Sequence, residues 1–222
     1  MKKYLSISIA SILALSAPDI AKAQLYVTSA IGGIPTVSGA SLENFDEPTP
    51  SILTLSGSAY LVTGVNYRVA YVPPNFSGST AAFFGESPTS GSDSSQYVTV
   101  WGGGSATLSF ATPQHYLELL WGTIGAGDCL TFYDSANNVI GTVFGNNVPG
   151  APLDGFNNPN DTLYVDITST TAFSSVVATE TAFPSFEFDD VAYALVVPEP
   201  ASSVLFSAGL CTLGFALRRK FA

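Results

Sequence analysis

The chain has 222 residues, 46% of them hydrophobic, and carries 17 Asp and Glu against 7 Lys and Arg, a net charge of −10. Six of the basic residues sit at the two ends, Lys2, Lys3 and Lys22 at the start and Arg218, Arg219 and Lys220 at the finish, so residues 24–197 hold 15 acids and the single Arg68. Nucleic acid and anionic lipid surfaces are excluded as ligands of that central part, because both demand clustered Lys and Arg.

At the N-terminus, Lys2-Lys3 is followed by an apolar stretch over residues 4–17 and by the small-x-small triplet Ala21-Lys22-Ala23. That order is the signature of a secretory signal peptide over residues 1–23, cut by signal peptidase after Ala23. No Cys stands at the cleavage point, so a lipoprotein anchor is not expected. Residues 24–197 then form one domain, long enough to bury a sizeable core.

From Gln24 onward the hydrophobic pattern alternates with period two in short runs bounded by Gly, Pro, Asn and Ser, which predicts strands over 25–28, 51–55, 65–72, 81–84, 96–101, 106–110, 116–121, 130–133, 140–144, 162–168 and 186–195. Residues 134–138, Asp-Ser-Ala-Asn-Asn, join two of these as a hairpin turn, since Asp and Asn tolerate left-handed backbone. No sustained 3.6 period occurs. The expectation is an all-β, antiparallel β-sandwich with its first and last strands side by side. Long loops are expected at 31–41, 84–96 and 145–161. Cys129 reads as a small buried hydrophobe; the other Cys, Cys211, lies in the apolar tail.

Two acidic segments near the ends of the domain stand out, Leu42-Glu43-Asn44-Phe45-Asp46-Glu47 and Phe186-Glu187-Phe188-Asp189-Asp190-Val191. Together they resemble the jelly-roll type of carbohydrate-binding module. The resemblance implies a jelly-roll-like sandwich and a structural Ca²⁺ held by Asp46 and Asp189, with Glu47 and Asp190 as alternatives. Ca²⁺ takes six to eight hard oxygens, which carboxylates and loop carbonyls supply. The competing reading is a solvated acidic strand face. In the centre, Tyr116-Leu117-Glu118-Leu119-Leu120-Trp121-Gly122-Thr123 followed by Asp128-Cys129-Leu130-Thr131-Phe132-Tyr133-Asp134 resembles a module of exosortase-sorted ectodomains, with Tyr116, Leu119 and Trp121 read as core.

Trp101, Tyr97, Tyr60, Tyr71 and Tyr164 are the pool from which a sugar-stacking surface would be drawn, although most aromatics in a sandwich fill its core. The chain has one His, His115, which excludes a His-rich zinc site, and its place at a strand start suits exposure better than a Ser-His-Asp triad. Neither a Gly-x-Ser-x-Gly elbow nor a phosphate loop occurs. A non-catalytic role is expected, the alternative being a secreted glycan-active hydrolase with a carboxylate pair.

The tail begins Val197-Pro198-Glu199-Pro200, continues through 17 uncharged residues, 201–217, and ends on Arg218-Arg219-Lys220. Prolines hold Glu199 on an extended spacer, the apolar run reaches about 25 Å as a helix, and the basic triplet stays on the cytoplasmic side as a membrane stop. Residues 198–222 thus resemble the PEP-CTERM sorting signal of exosortase substrates. That resemblance implies an exported precursor anchored in the inner membrane by residues 201–217. An exosortase-type membrane protease then acts at Pro198, Glu199 and Pro200, and the protein is delivered to the cell surface or matrix, with extracellular polysaccharide as a partner there.

Overall fold

The computed structural model describes residues 23–32, 37–47, 50–66, 71–76, 84–85, 90–153, 161–181 and 185–195. Ala21, the predicted helix at 201–217, the sorting tripeptide Pro198-Glu199-Pro200 and the stop residues Arg218, Arg219 and Lys220 lie outside them, as do all seven Lys and Arg. Among the described residues no helix is long and apolar enough to cross a membrane.

The described chain forms β1 (Leu25–Ala30), β2 (Ser41–Glu43), β3 (Leu53–Ser56), β4 (Ala59–Thr63), β5 (Asn75–Phe76), β6 (Gly91–Ser92), β7 (Gln96–Val100), β8 (Ser105–Gly122), β9 (Asp128–Tyr133), β10 (Val139–Phe144), β11 (Leu163–Glu180) and β12 (Phe186–Ala194), with a 3-10 turn at Gly145–Asn147. Every strand pairing is antiparallel. The all-β, antiparallel expectation is met.

β8 and β11, 18 residues each, organise the rest. Their far halves, 105–109 and 175–179, pair with each other and are flanked by β3 on one side and by β9 and β10 on the other. Their near halves, 116–121 and 163–168, also pair, flanked by β1 beyond β11 and by β12, β7 and β4 beyond β8. The ladder breaks between the halves, where the register shifts around Phe173. Pro113 lacks an N–H to give the ladder, and Ser169 replaces ladder bonds with its own: its Oγ donates to Thr171 O at 2.6 Å and accepts from Thr171 N at 3.2 Å. Both halves turn apolar residues into one core, including Leu108, Phe132 and Val176 from the far set and Leu119, Val165 and Phe188 from the near set. This arrangement is consistent with the expected β-sandwich. Phe173 closes the junction, edge-on to Phe110 at 5.7 Å and to Phe132 at 5.1 Å.

The predicted hairpin is present as β9–β10. Asp134 Oδ1 accepts from the backbone of Ala136 and Asn138, both at 2.8 Å, and Asn137 takes the left-handed φ of 63°. Several expectations need correction. Of the strand expected at 65–72, the described residues show an Asn66–Tyr71 bridge. Phe84 is not in a strand, and the rest of 81–84 lies outside the described residues. The strands expected at 106–110 and 116–121 are one strand, and the one expected at 162–168 runs on to Glu180. β1 is separated from β12 by β11 and β8, so the first and last strands are not adjacent; β2 pairs with β12 instead. His115 lies half-buried within β8, its Nδ1 2.8 Å from Ser169 O.

Candidate functional face: a carboxyl layer and an aromatic groove

Alternation along the near-set strands sends one series of side chains into the core and the other to the opposite face. On β8 the core series includes Leu117, Leu119 and Trp121, and on β12 Phe186 and Phe188. The opposite face bears Tyr116, Glu118 and Leu120 on β8, Tyr164 and Asp166 on β11, Glu187 and Asp189 on β12, and Tyr97 and Thr99 on β7. This second face is also covered. Val37 and Phe84 pack on Tyr116, Ala192 and Ala194, and Phe76 packs on Leu120 and Tyr164. Glu118, Glu187, Asp189 and Asp190 are consequently at most 2% exposed.

No Lys or Arg is among the described residues, and the partners these acids have there are hydroxyls, backbone groups and one another. The Tyr116 hydroxyl donates to Glu118 Oε2 at 2.6 Å and also contacts Asp166, the cross-strand partner of Glu118. Burial pushes the Glu118 carboxyl up to about 8; the Tyr116 hydrogen bond opposes that rise and Asp166 adds to it. Glu187 accepts from the hydroxyls of Ser185 and Thr123 and from Thr99 Oγ1 at 3.5 Å. Burial raises it to about 8 against those bonds. Asp189 is fully buried against Asp93, and burial, reinforced by Asp190 and Asp93, holds its carboxyl far above the usual range. Asp93 comes from the loop before β7, its N–H on Pro74 O at 2.9 Å and its Oδ1 accepting from Ser95 N at 2.6 Å, and its carboxyl meets that of Asp189.

A second carboxyl pair closes one end of the core. Asp128 Oδ2 accepts from Trp121 Nε1 at 2.8 Å and from Gly125 N at 2.9 Å, and Asp128 faces Glu180 across the β9–β11 ladder. Burial, then Glu180, pushes Asp128 up to about 10. The Trp-Gly and Asp-x-Leu segments singled out by sequence thus meet through this bond.

Next to the carboxyl layer, at the β4 edge, Tyr60, Leu61, Val62, Tyr71, Thr99 and Trp101 line a half-open groove of about 330 Å³. Tyr60 is 54% exposed. Tyr71 is held edge-on to buried Tyr97, 6.3 Å between ring centres, and Tyr97 donates its hydroxyl to Gly64 O at 2.5 Å. Three of the five aromatics in the predicted pool therefore share one groove. The other two, Tyr97 and Tyr164, are buried, at 0% and 3% exposure.

The two members of the predicted metal pair, Asp46 and Asp189, sit in different surroundings. Asp46 is exposed at the rim, its Oδ1 accepting from Gln96 N at 3.1 Å and its Oδ2 from Asn44 Nδ2 at 3.0 Å. Glu47 is exposed as well. Asp189 and Asp190 are buried on β12, and the acids acting on Asp189 are Asp190 and Asp93, not Asp46. Among the described residues no group of three or more His, Cys, Asp or Glu is placed to hold a metal ion. The sequence reading missed Asp93, which sits in a Ser-rich loop and has no local signal. It also missed the Glu118–Asp166 and Asp128–Glu180 pairs, which only strand register brings together.

Comparison with known proteins adds one firm result and three weak likenesses. Among solved structures, a family 6 carbohydrate-binding module is similar at 12% identity over 70% of this chain and 94% of that chain, with a TM-score of 0.38. The K2 cleaved adhesin domain of Lys-gingipain is similar at 11% identity over 72% and 100%, with a TM-score of 0.42. The enzymatically active domain of a bacteriophage tailspike protein is similar at 15% identity over 66% and 20%, with a TM-score of 0.31. Overlaps this loose support no argument about fold or role. A search of curated proteins found no match. The tail is different: residues 196–220 match the PEP-CTERM protein-sorting motif, and the chain carries that sorting signal.

Proposed function

We propose that this protein is an exported, exosortase-processed surface or extracellular-matrix protein whose β-domain makes non-catalytic contacts with extracellular polysaccharide. The observation behind it is the sorting motif at residues 196–220, placed directly after the last described strand. In this reading signal peptidase cuts after Ala23, residues 201–217 anchor the precursor, Arg218, Arg219 and Lys220 stay on the cytoplasmic side, and an exosortase-type protease acts at Pro198-Glu199-Pro200. The domain is then released to the surface as a jelly-roll-like sandwich. Mass spectrometry of the mature protein tests this reading: a C-terminus at or near Pro198–Pro200 is expected, and a surface form that keeps Arg218-Arg219-Lys220 would overturn processing.

Binding is a better fit than hydrolysis for this domain. Glycosidase carboxyls stand about 5–9.5 Å apart around an open site. The pairs found here, Glu118 with Asp166 and Asp128 with Glu180, touch each other, and Glu118 and Asp128 are sealed from solvent. Structural Ca²⁺ also belongs to the proposal, with its residues revised. Asp46 does not fit, being exposed and engaged by backbone and Asn44. Asp93 and Asp189 fit better, because their two carboxyls meet each other away from solvent. A cation there would neutralise the pair, with backbone carbonyls or water completing its shell.

A further inference from the structure

The groove at the β4 edge points to a specific ligand class, and this inference rests on the polysaccharide-contact reading above. We propose that Tyr60, Tyr71 and Trp101 form a binding site for a neutral polysaccharide, whose pyranose rings lie against the aromatic faces.

Four observations converge on this site. First, three aromatics face one half-open groove of about 330 Å³, at the small end of the usual ligand-pocket range of roughly 300–1,000 Å³. That size suits one or two sugar rings of a chain that runs on into solvent, not an enclosed small molecule. Second, contacts within the fold hold the walls in place. Tyr60 is on β4, and the Trp101 N–H bonds Ser58 O at 2.8 Å directly after β7. Tyr71 is fixed by Tyr97 and by the Asn66 bridge, with N–H···O distances of 3.0 and 3.3 Å. Preorganised aromatics lose little conformational freedom on binding. Third, polar groups are present where an oriented sugar needs them: Tyr60 and Tyr71 on the lining carry hydroxyls beside their ring faces. Fourth, charge selects the class. Residues 24–197 carry 15 acids against the single Arg68. An anionic polymer would approach a domain of strongly negative net charge, which a neutral one does not feel. One shallow site binds weakly, but many copies on one surface engaging a repeating polymer gain by avidity.

Affinity electrophoresis of the full chain in detergent tests this, using native gels cast with laminarin, dextran or galactomannan, beside gels with alginate as the anionic polymer and chitosan as the cationic one. Retardation is expected in at least one neutral gel, unchanged between low and high salt, and weakened at least tenfold by Tyr60→Ala and by Trp101→Ala. Tyr60→Ala is the cleaner variant because its ring is largely exposed, and an unchanged melting temperature confirms that the fold survives. Passage through all three neutral gels without delay, retardation that persists in the double variant, or binding confined to alginate or chitosan would each overturn the proposal. The C-terminal mass measurement is independent, so a correctly processed protein that ignores neutral glycans would refute this site while leaving the sorting reading intact.

Discussion

Asp128 offers the sharpest test of how the domain tolerates its acids. Its Oδ2 accepts from the Trp121 indole and from Gly125 N, while the rest of the carboxyl faces Glu180. With its carboxyl pushed up to about 10, Asp128 is protonated in the native state at neutral pH and gives that proton to Glu180. Asn reproduces this arrangement: its carbonyl accepts from Trp121 and Gly125, and its amide donates to Glu180. Asp128→Asn should therefore stay within about 1 kcal/mol of the parent near pH 4 and gain on it as pH rises, because every hydrogen bond keeps a partner while Asn takes up no proton on folding. Asp128→Ala instead strips two donors of their acceptor at about 1–3 kcal/mol each. A loss of about 3 kcal/mol lowers Tm by roughly 6–12 °C in a domain of this size. The pH dependence then separates charge from shape. A carboxyl raised from 3.8 to about 10 binds a proton in the native state and not in the unfolded one across that window. Its contribution is full below about pH 4 and falls as pH rises, by about 1.4 kcal/mol per pH unit for one proton. Between pH 6 and 8 the parent should lose about 3 kcal/mol through this group, a loss that Asp128→Asn escapes. Melts by circular dichroism at pH 5, 6, 7 and 8 measure both effects. An Asn variant as unstable as the Ala variant, or one with the parent's pH slope, would refute the shared-proton account.

Other perturbations separate packing, backbone and cation effects. Phe173→Ala should cost about 3–5 kcal/mol in chemical denaturation, since Phe173 is fully buried where the two strand sets meet; a loss under 1 kcal/mol would mean that the junction carries little of the core. Gly104→Ala should be strongly destabilising while Gly102→Ala is tolerated in the same melts. A Cβ at Gly104 would stand 2.5 Å from the Ser58 carbonyl carbon, whereas one at Gly102 meets nothing within 4 Å. If Ca²⁺ joins Asp93 and Asp189, raising it to 100 times its Kd adds about 2.7 kcal/mol over EDTA, and Asp189→Ala removes the gain; identical melts with Ca²⁺ and EDTA would leave the pair to share a proton.

Local signals gave the parts of this fold that are built locally. The β9–β10 hairpin was legible because Asp134 and Asn137 carry the turn chemistry themselves. β12 was legible from its aromatic alternation, and Trp121 from its place at the end of the β8 segment 116–121. The second half of β11 was not. Its buried positions Phe173, Val176, Ala178 and Glu180 change phase at the register shift, so no single period runs through them, and its Ser, Thr and Ala content resembles a loop. β8 looked like two strands because Pro113 marks a break, yet both sides remain paired to β11 across the bend. The short β2 and β4 depend on pairing with β12 and β7, which local sequence does not encode.

The acids of β12 show why a face can be read correctly and its environment missed. Phe186-Glu187-Phe188-Asp189 alternates as a half-exposed antiparallel strand should, and alternation does place Phe186 and Phe188 in the core. It reports which residues share a face, not whether that face is wet. Here Phe76, Phe84 and Val37 cover the polar side, so Glu187 and Asp189 are as buried as the phenylalanines. Strict alternation would also send Asp190 into the core. The ladder instead slips by one residue between Asp189 and Ala192, Asp190 takes a left-handed φ of 50°, and Val191 occupies the core position. A bulge of this kind turns two neighbouring acids to one side, toward Asp93 and Tyr164. One clue to this burial was present in composition. A solvated acidic exterior normally intersperses both signs of charge, and residues 24–197 have one Arg for 15 acids. Acids with so few cations nearby must either repel one another in water or share protons or metal in the interior, and register, which no local pattern fixes, decides which of them meet.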